Sequence, residues 1–207
     1  GKNYTNKEFG FTGSVADYFR SQSLGKLDIE FDVVGPYMLG HKRWYYGTNQ
    51  GVLRDTKAGE MIAEAVLAAD ADVNYADYDW DGDGEVDQVF VLYAGLGEHD
   101  GGAATTIWPH ESKLSASDYR KAINLDGVKI DTYACSSELQ RGGTICGIGT
   151  ICHEFSNCLG FPDAYDPTKT RFGMGTWDLM DVGSFIDNGF TPSCYTGLER
   201  MIAGWQK

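Results

Sequence analysis

The stretch GIGTICHEFSNCLGFPDAYD, residues 147–166, decides how the chain is read. Ile148, Ile151, Cys152, Phe155 and Leu159 recur at helical spacing and form one apolar face of a 3.6-residue period. At about 100° per residue, His153 and Asn157 project together on the opposite side, with Thr150 near them and Glu154 flanking. Gly160 stops the helix, and Pro162 prevents its continuation. Such a helix buries one face and offers the other to a cleft.

The chemistry of the offered face turns on one residue. In His-Glu-x-x-His, two imidazoles one turn apart hold zinc and the Glu works on the bound water. Here His153 and Glu154 are present, and Asn157 stands where the second His belongs. A bare His-Glu pair is more often an incidental feature of a buried helix than a site, so the flanks carry the argument. Gly160 and Asp163 follow His153 by seven and ten residues. A Gly at that point bends the chain back toward the metal, and a third ligand just beyond it reaches the ion. Asp163 is placed for that role, with Asp166 as its rival on spacing.

Composition bounds the rest. A chain of 207 residues with 42% hydrophobic content is long enough for one substantial domain with a real core. Its net charge of -13 argues against nucleic acid and against anionic membrane surfaces. No apolar run approaches the roughly 20 residues of a membrane span. The sequence opens at Gly1 without an initiator Met or signal peptide, which reads as a processed or excised fragment. Five cysteines (Cys135, Cys146, Cys152, Cys158 and Cys194) lack a Cys-x-x-Cys pair, leaving free thiols and one or two bridges both open. Nothing in the sequence marks an oligomeric state.

Taken in order, Ser14 and Asp17 form a capping-box-like start for a helix over 15–23. Leu27, Ile29, Phe31 and Val33 alternate with acidic residues as a half-buried strand does. From residue 55 or 56 to about Ala69, Met61, Ile62, Ala65 and Ala69 mark an amphipathic helix. In DYDWDGDGEVD, Asp79, Asp81, Asp83 and Gly84 match the first half of a calcium loop. Phe90 at position twelve excludes an EF-hand, and a calcium-stabilised turn with Asp87 as a direct or water-mediated ligand competes with a solvated acidic turn. The run Val89–Ala94 reads as a central strand covered on both faces. Gly95–Thr106 is a long loop carrying His99, with His110 just past it. His99 and His110 are the candidates to substitute from this loop for the ligand lost at position 157, although nothing in the sequence shows that they reach it. Lys113–Gly127 is polar with room for a short helix, Val128–Cys135 alternates as a strand, and a short helix spans 194–203. Mixed helices and strands place the chain in the α/β (α+β) classes, as a single domain over 1–207.

With these residues in hand, the chain resembles the immune inhibitor A-type family of secreted zinc metallopeptidases. The resemblance also runs through GSVADYF, FDVVGP, WYYG, DYDWDGDGEVDQVFVLYAG, TIWPH, YACSSEL, LGFPDAYD and GTWDLMDVGSF, in order and over nearly the whole chain. It implies a zincin-like fold: a twisted mixed sheet, a backing helix, the active-site helix and an irregular lower subdomain. It implies a secreted, periplasmic or cell-surface location and a protein or peptide substrate. Met180, or else Met174, would lie beneath the metal, and the strand over 130–135 would offer an edge for an extended substrate. Asn157 departs from the pattern, because an amide oxygen is a weaker zinc ligand than an imidazole.

Two functional readings follow. In the first, zinc held by His153, Asp163 and a compromised third position at Asn157 activates water, with Glu154 as general base. In the second, the chain is a non-catalytic pseudopeptidase that keeps a peptide-binding cleft. A deliberately silenced peptidase gives the same sequence, since one base change relates His to Asn.

Overall fold

The computed structural model describes residues 5–6, 11–51, 54–168 and 170–207. It opens with strands β1 (Thr5–Asn6) and β2 (Phe11–Thr12), then helices α1 (Val15–Gln22), α2 (Arg43–Gly47) and α3 (Ala58–Ala69). Strands β3 (Val89–Leu96), β4 (His110–Lys113), β5 (Ile123–Leu125), β6 (Val128–Ile130), β7 (Thr132–Gln140) and β8 (Thr144–Ile145) follow. Helices α4 (Gly149–Cys158) and α5 (Gly197–Ile202) complete it. The chain forms two compact units, Gly1–Asp32 with Cys146–Lys207, and Val33–Ile145. The mixed α/β architecture with a mixed sheet is the class expected for a zincin-like domain.

In the unit Val33–Ile145, β7 is the centre of the sheet. β3 runs parallel to it on one side, β4 antiparallel on the other, and β8 pairs with its far end. Tyr133 to Ser137 are all buried, so this strand is covered on both faces. Helix α3 backs the sheet: Met61, Ile62 and Val66 join Tyr133, Cys135 and Ile107 in one core. Each fully buried side chain of this size contributes roughly 1.5–3 kcal/mol.

Two expectations are corrected here. Val89–Ala94 is a strand, but it ends the described sheet path rather than occupying its centre, and Leu92 is 55% exposed. The strand segment expected to offer an edge to an extended substrate has none over 132–135, because β3 and β4 take its two sides there. A third correction concerns Lys113–Gly127, which contains no helix among the described residues. It contributes β5, which turns back into β6 through Asp126 and Gly127. Both turn residues are left-handed, with φ 53° and 85°, as a tight type I′ hairpin requires.

In the other unit, α1 begins where the capping residues place it: the Ser14 hydroxyl accepts from the Asp17 amide at 3.2 Å. The segment after α1 alternates in burial, with Ile29 buried and Leu27 and Phe31 half-buried, yet it pairs with no strand among the described residues. Alternation reports which way side chains face, not whether the backbone finds a partner. Phe155 on α4 packs against Phe19 at 5.0 Å and Phe31 at 5.6 Å between ring centroids, and Cys152 beside it is fully buried. These contacts hold the apolar face of α4. Beyond α4 the chain is irregular, with 3₁₀ turns at Gly175–Trp177 and Val182–Gly189, until a Thr196–Glu199 capping box starts α5. Cys135, Cys152 and Cys194 are free thiols.

The entry to α4 depends on glycine for a steric reason. A Cβ at Gly149 would lie 1.8 Å from the Ser184 carbonyl oxygen, a backbone atom that cannot swing aside. Gly149→Ala is therefore expected to lower the unfolding free energy by about 3 kcal/mol, the upper end of overpacking costs, measured by urea denaturation. A loss under about 0.5 kcal/mol would contradict the close packing of the 182–189 turn on this helix.

Candidate metal centre

Helix α4 ends as its sequence dictates. The Gly160 N–H bonds to the Asn157 carbonyl at 2.9 Å and the Phe161 N–H to the Ser156 carbonyl at 3.0 Å, with Gly160 at φ +91°. This paired closure needs a left-handed residue, and it reverses the chain so that 161–166 runs back past the helix. The returning segment is then fixed at Ala164: its N–H donates to the Met180 carbonyl at 2.8 Å, and its carbonyl accepts from Met174 N–H at 3.3 Å. Phe161 is buried, stacked on Tyr195 at 4.6 Å.

Asp163 is thereby brought onto α4. Its Oδ1 lies 3.1 Å from His153 Nε2 and 3.3 Å from Asn157 Nδ2. Asp166 is not brought there. Its carboxylate accepts from the hydroxyls and amides of Thr168 and Thr170 and from the Arg171 amide, closing its own turn. Those bonds, led by the Thr168 hydroxyl, hold it well below the usual carboxylate range. Of the two aspartates that spacing left open, geometry places Asp163 beside His153.

His153 is oriented by its other nitrogen, Nδ1, which donates to the Leu179 carbonyl at 2.9 Å. That bond fixes Nδ1 as a proton donor, so Nε2 is the nitrogen that donates to Asp163 here and the one a metal would meet, as is typical of metal-bound histidines. Burial pulls the imidazole down, but the bond to Asp163, the nearby Glu154 charge and the Leu179 carbonyl outweigh it and hold His153 above its ordinary value. Asp163 is held below its own by His153 first, against burial, with help from Tyr165 and Asn157. Tyr165 lies over the His153 ring at 6.5 Å, nearly parallel to it. Glu154 is 8% exposed on the same helix. Met180 is fully buried, one residue past the carbonyl that orients His153, whereas Met174 is 44% exposed.

His153 and Asp163 fit zinc. Asn157 as it is bonded does not: Nδ2 donates to the Phe161 carbonyl at 3.1 Å and to Asp163. Turning the amide over to present its oxygen would set that oxygen against two acceptors. His110, in the other unit, has Nε2 on the Tyr133 hydroxyl at 3.0 Å and Nδ1 on the Trp108 carbonyl at 2.7 Å. His99 is in that unit as well, edge-on to Trp108. In the acidic loop, Asp79, Asp81 and Asp87 each place one carboxylate oxygen within 4.8 Å of the others. Asp83 is not one of the three; it accepts from the Glu85 amide at 2.8 Å.

A family model described as immune inhibitor A peptidase M6, catalytic domain, matches residues 1–201. The chain belongs to this family. Over 225 aligned residues it is 28% identical to the pre-pro-metalloprotease PrtV of Vibrio cholerae serotype O1, covering 93% of this chain and 24% of that protein. It is 24% identical to immune inhibitor A of Bacillus thuringiensis subsp. alesti, covering 86% of this chain and 30% of that protein. The chain thus spans under a third of the length of these curated relatives. Among the described residues, no helix of this M6 domain is long and apolar enough to cross a membrane.

The turn that carries Leu179 in the M6 domain has a charge buried beneath it. Asp178, 2% exposed, accepts from the Met180 N–H at 2.8 Å. Burial pushes its carboxyl up to about 6; the Met180 amide opposes the shift, and the Glu199 carboxylate adds to it. A raised folded-state pKa means that the group's contribution to stability is full below about pH 4 and is lost as pH rises through 6. Asp178→Asn keeps the acceptor and removes the charge. It should therefore exceed the parent by about 1–2 kcal/mol at pH 7.5 and converge on it near pH 4, in thermal melts across that range. A difference independent of pH would contradict this origin.

Proposed function

We propose that this chain is a peptide-bond hydrolase by architecture whose activity is impaired at Asn157. The observation that carries the reading is the pair of hydrogen bonds donated by Asn157 to Phe161 and Asp163, which turn its amide nitrogen toward the prospective metal ligands. Zinc, when bound, would polarise the scissile carbonyl and acidify a water. His153 and Asp163 are the residues to hold it, and the Leu179 carbonyl keeps His153 aimed. Glu154 is the general base, accepting a proton at its carboxylate and returning it to the leaving amine. The substrate class is protein or peptide, and the location is outside the cytoplasm: secreted, periplasmic or cell-surface.

A second reading, a pseudopeptidase that only binds peptides, draws on the same contacts, since Asp163 is already partnered by His153 and Asn157 without an ion. One substitution separates the two. α4 directs position 157 at Asp163 already, so Asn157→His needs no backbone change. The variant should gain near-stoichiometric zinc and hydrolyse casein, and Asn157→His with Glu154→Ala should keep the added zinc and lose hydrolysis. Zinc gained without hydrolysis favours the pseudopeptidase. No gain of zinc over the parent contradicts the metal assignment.

The acidic loop is proposed as a calcium site built on Asp79, Asp81 and Asp87. An ion that binds only the folded state stabilises it by mass action. Millimolar calcium should raise the melting temperature of the parent chain and leave Asp81→Ala unmoved; equal responses would refute the site.

A further inference from the structure

Three side chains of the unit Val33–Ile145 converge in a way the peptidase reading does not use. Glu60 and Glu64 stand one turn apart on α3 and so share a helix face. His41 comes from the segment just before α2. One ligand atom from each lies within 4.8 Å of the other two.

We infer that His41, Glu60 and Glu64 form a second metal site, selective for zinc-type divalent ions and independent of the α4 centre. One imidazole with two carboxylates suits zinc and its late first-row neighbours, whereas calcium and magnesium take oxygen alone. Three protein ligands leave the remaining position to water.

The ligands are held in place by bonds that lie outside the metal's own shell. The His41 ring stacks on Tyr45, with centroids 3.9 Å apart and planes 23° apart. The Tyr45 hydroxyl donates to Glu60 at 3.1 Å. The Tyr46 hydroxyl donates to Glu64 Oε2 at 2.9 Å, as does the Gly40 amide. Tyr46 in turn accepts from the His41 amide at 3.1 Å, so the same hydroxyl ties the two ligand segments together. Partners of this kind commonly set a ligand's orientation, and losing one costs about 10–100-fold in metal affinity. His41 is exposed and both glutamates are half-buried, which leaves the ion a path from solvent.

Lys57 sets a limit on affinity. Its ammonium donates to Glu60 Oε2 at 2.9 Å and to the Tyr45 hydroxyl at 2.7 Å. The same contact holds Glu60 below the ordinary carboxylate range. A bound cation therefore competes with a tethered one, and removing the lysine should tighten the site.

The test is equilibrium dialysis with Zn²⁺ alone, in full-length chains carrying His153→Ala to silence the α4 centre. That background should take up one zinc whose binding weakens by at least about 100-fold in His41→Ala, a direct ligand being worth no less than an outer-shell partner. Glu64→Gln, which keeps an acceptor for Tyr46 and Gly40, should weaken it comparably, and Lys57→Met should strengthen it severalfold. Equal zinc uptake with and without His41 overturns the proposal, as does an absence of uptake in the His153→Ala background.

Discussion

The carboxylate of Asp163 is the constraint on which the α4 centre depends. It meets His153 Nε2 and Asn157 Nδ2 at once. It gets there because Gly160 reverses the chain and Ala164 is pinned between the carbonyl of Met180 and the amide of Met174. A single donor or acceptor at position 157 then decides what the arrangement does. With an imidazole, the carboxylate and two ring nitrogens would face a common point. With Asn157, the amide nitrogen satisfies the carboxylate directly, and the centre is closed by hydrogen bonds among its own residues.

Around that centre the remaining parts are retained. The Leu179 carbonyl accepts from His153 Nδ1, Met180 next in the chain is fully buried, and Asp178 accepts from the Met180 amide in the turn that carries both. Gly149 admits the 182–189 turn against the start of the helix. None of these contacts uses the Asn157 side chain, so the surroundings of His153 do not depend on which residue stands at 157. The same separation of scaffold from ligand applies to His41, Glu60 and Glu64, whose orienting tyrosines belong to the core and to α2.

Much of α4 was legible in the sequence because a helix face, a Gly stop and a His-Glu pair each have a local physical signature. The capping residues of α1 and the amphipathic pattern of α3 were legible for the same reason. The central place of β7 in the sheet was not. Ala134, Cys135, Ser136 and Ser137 are small and partly polar, while the more apolar run at Val89–Ala94 ends the sheet path. Hydropathy reports burial of large side chains, and this centre is buried by close approach. The β5–β6 hairpin did have a signal, Asp126-Gly127 between apolar positions, which a turn-based reading would have used. Asp163 and Asp166 were inseparable by spacing because the difference lies in the threonines that capture Asp166. His41 carried no motif, since its partners lie nineteen and twenty-three residues away on a different element.

The central claim is that His153 is poised for a metal that Asn157 prevents it from holding. Nitrogen NMR of ¹⁵N-histidine-labelled chain reads this at the ring itself, with His41→Ala used to remove the second site. The account predicts a protonated Nδ1, donated to Leu179, and an Nε2 resonance that one equivalent of zinc leaves unmoved. A shift of Nε2 to a metal-bound position on that first equivalent would contradict it, because some other group would then be supplying the ligand that Asn157 does not.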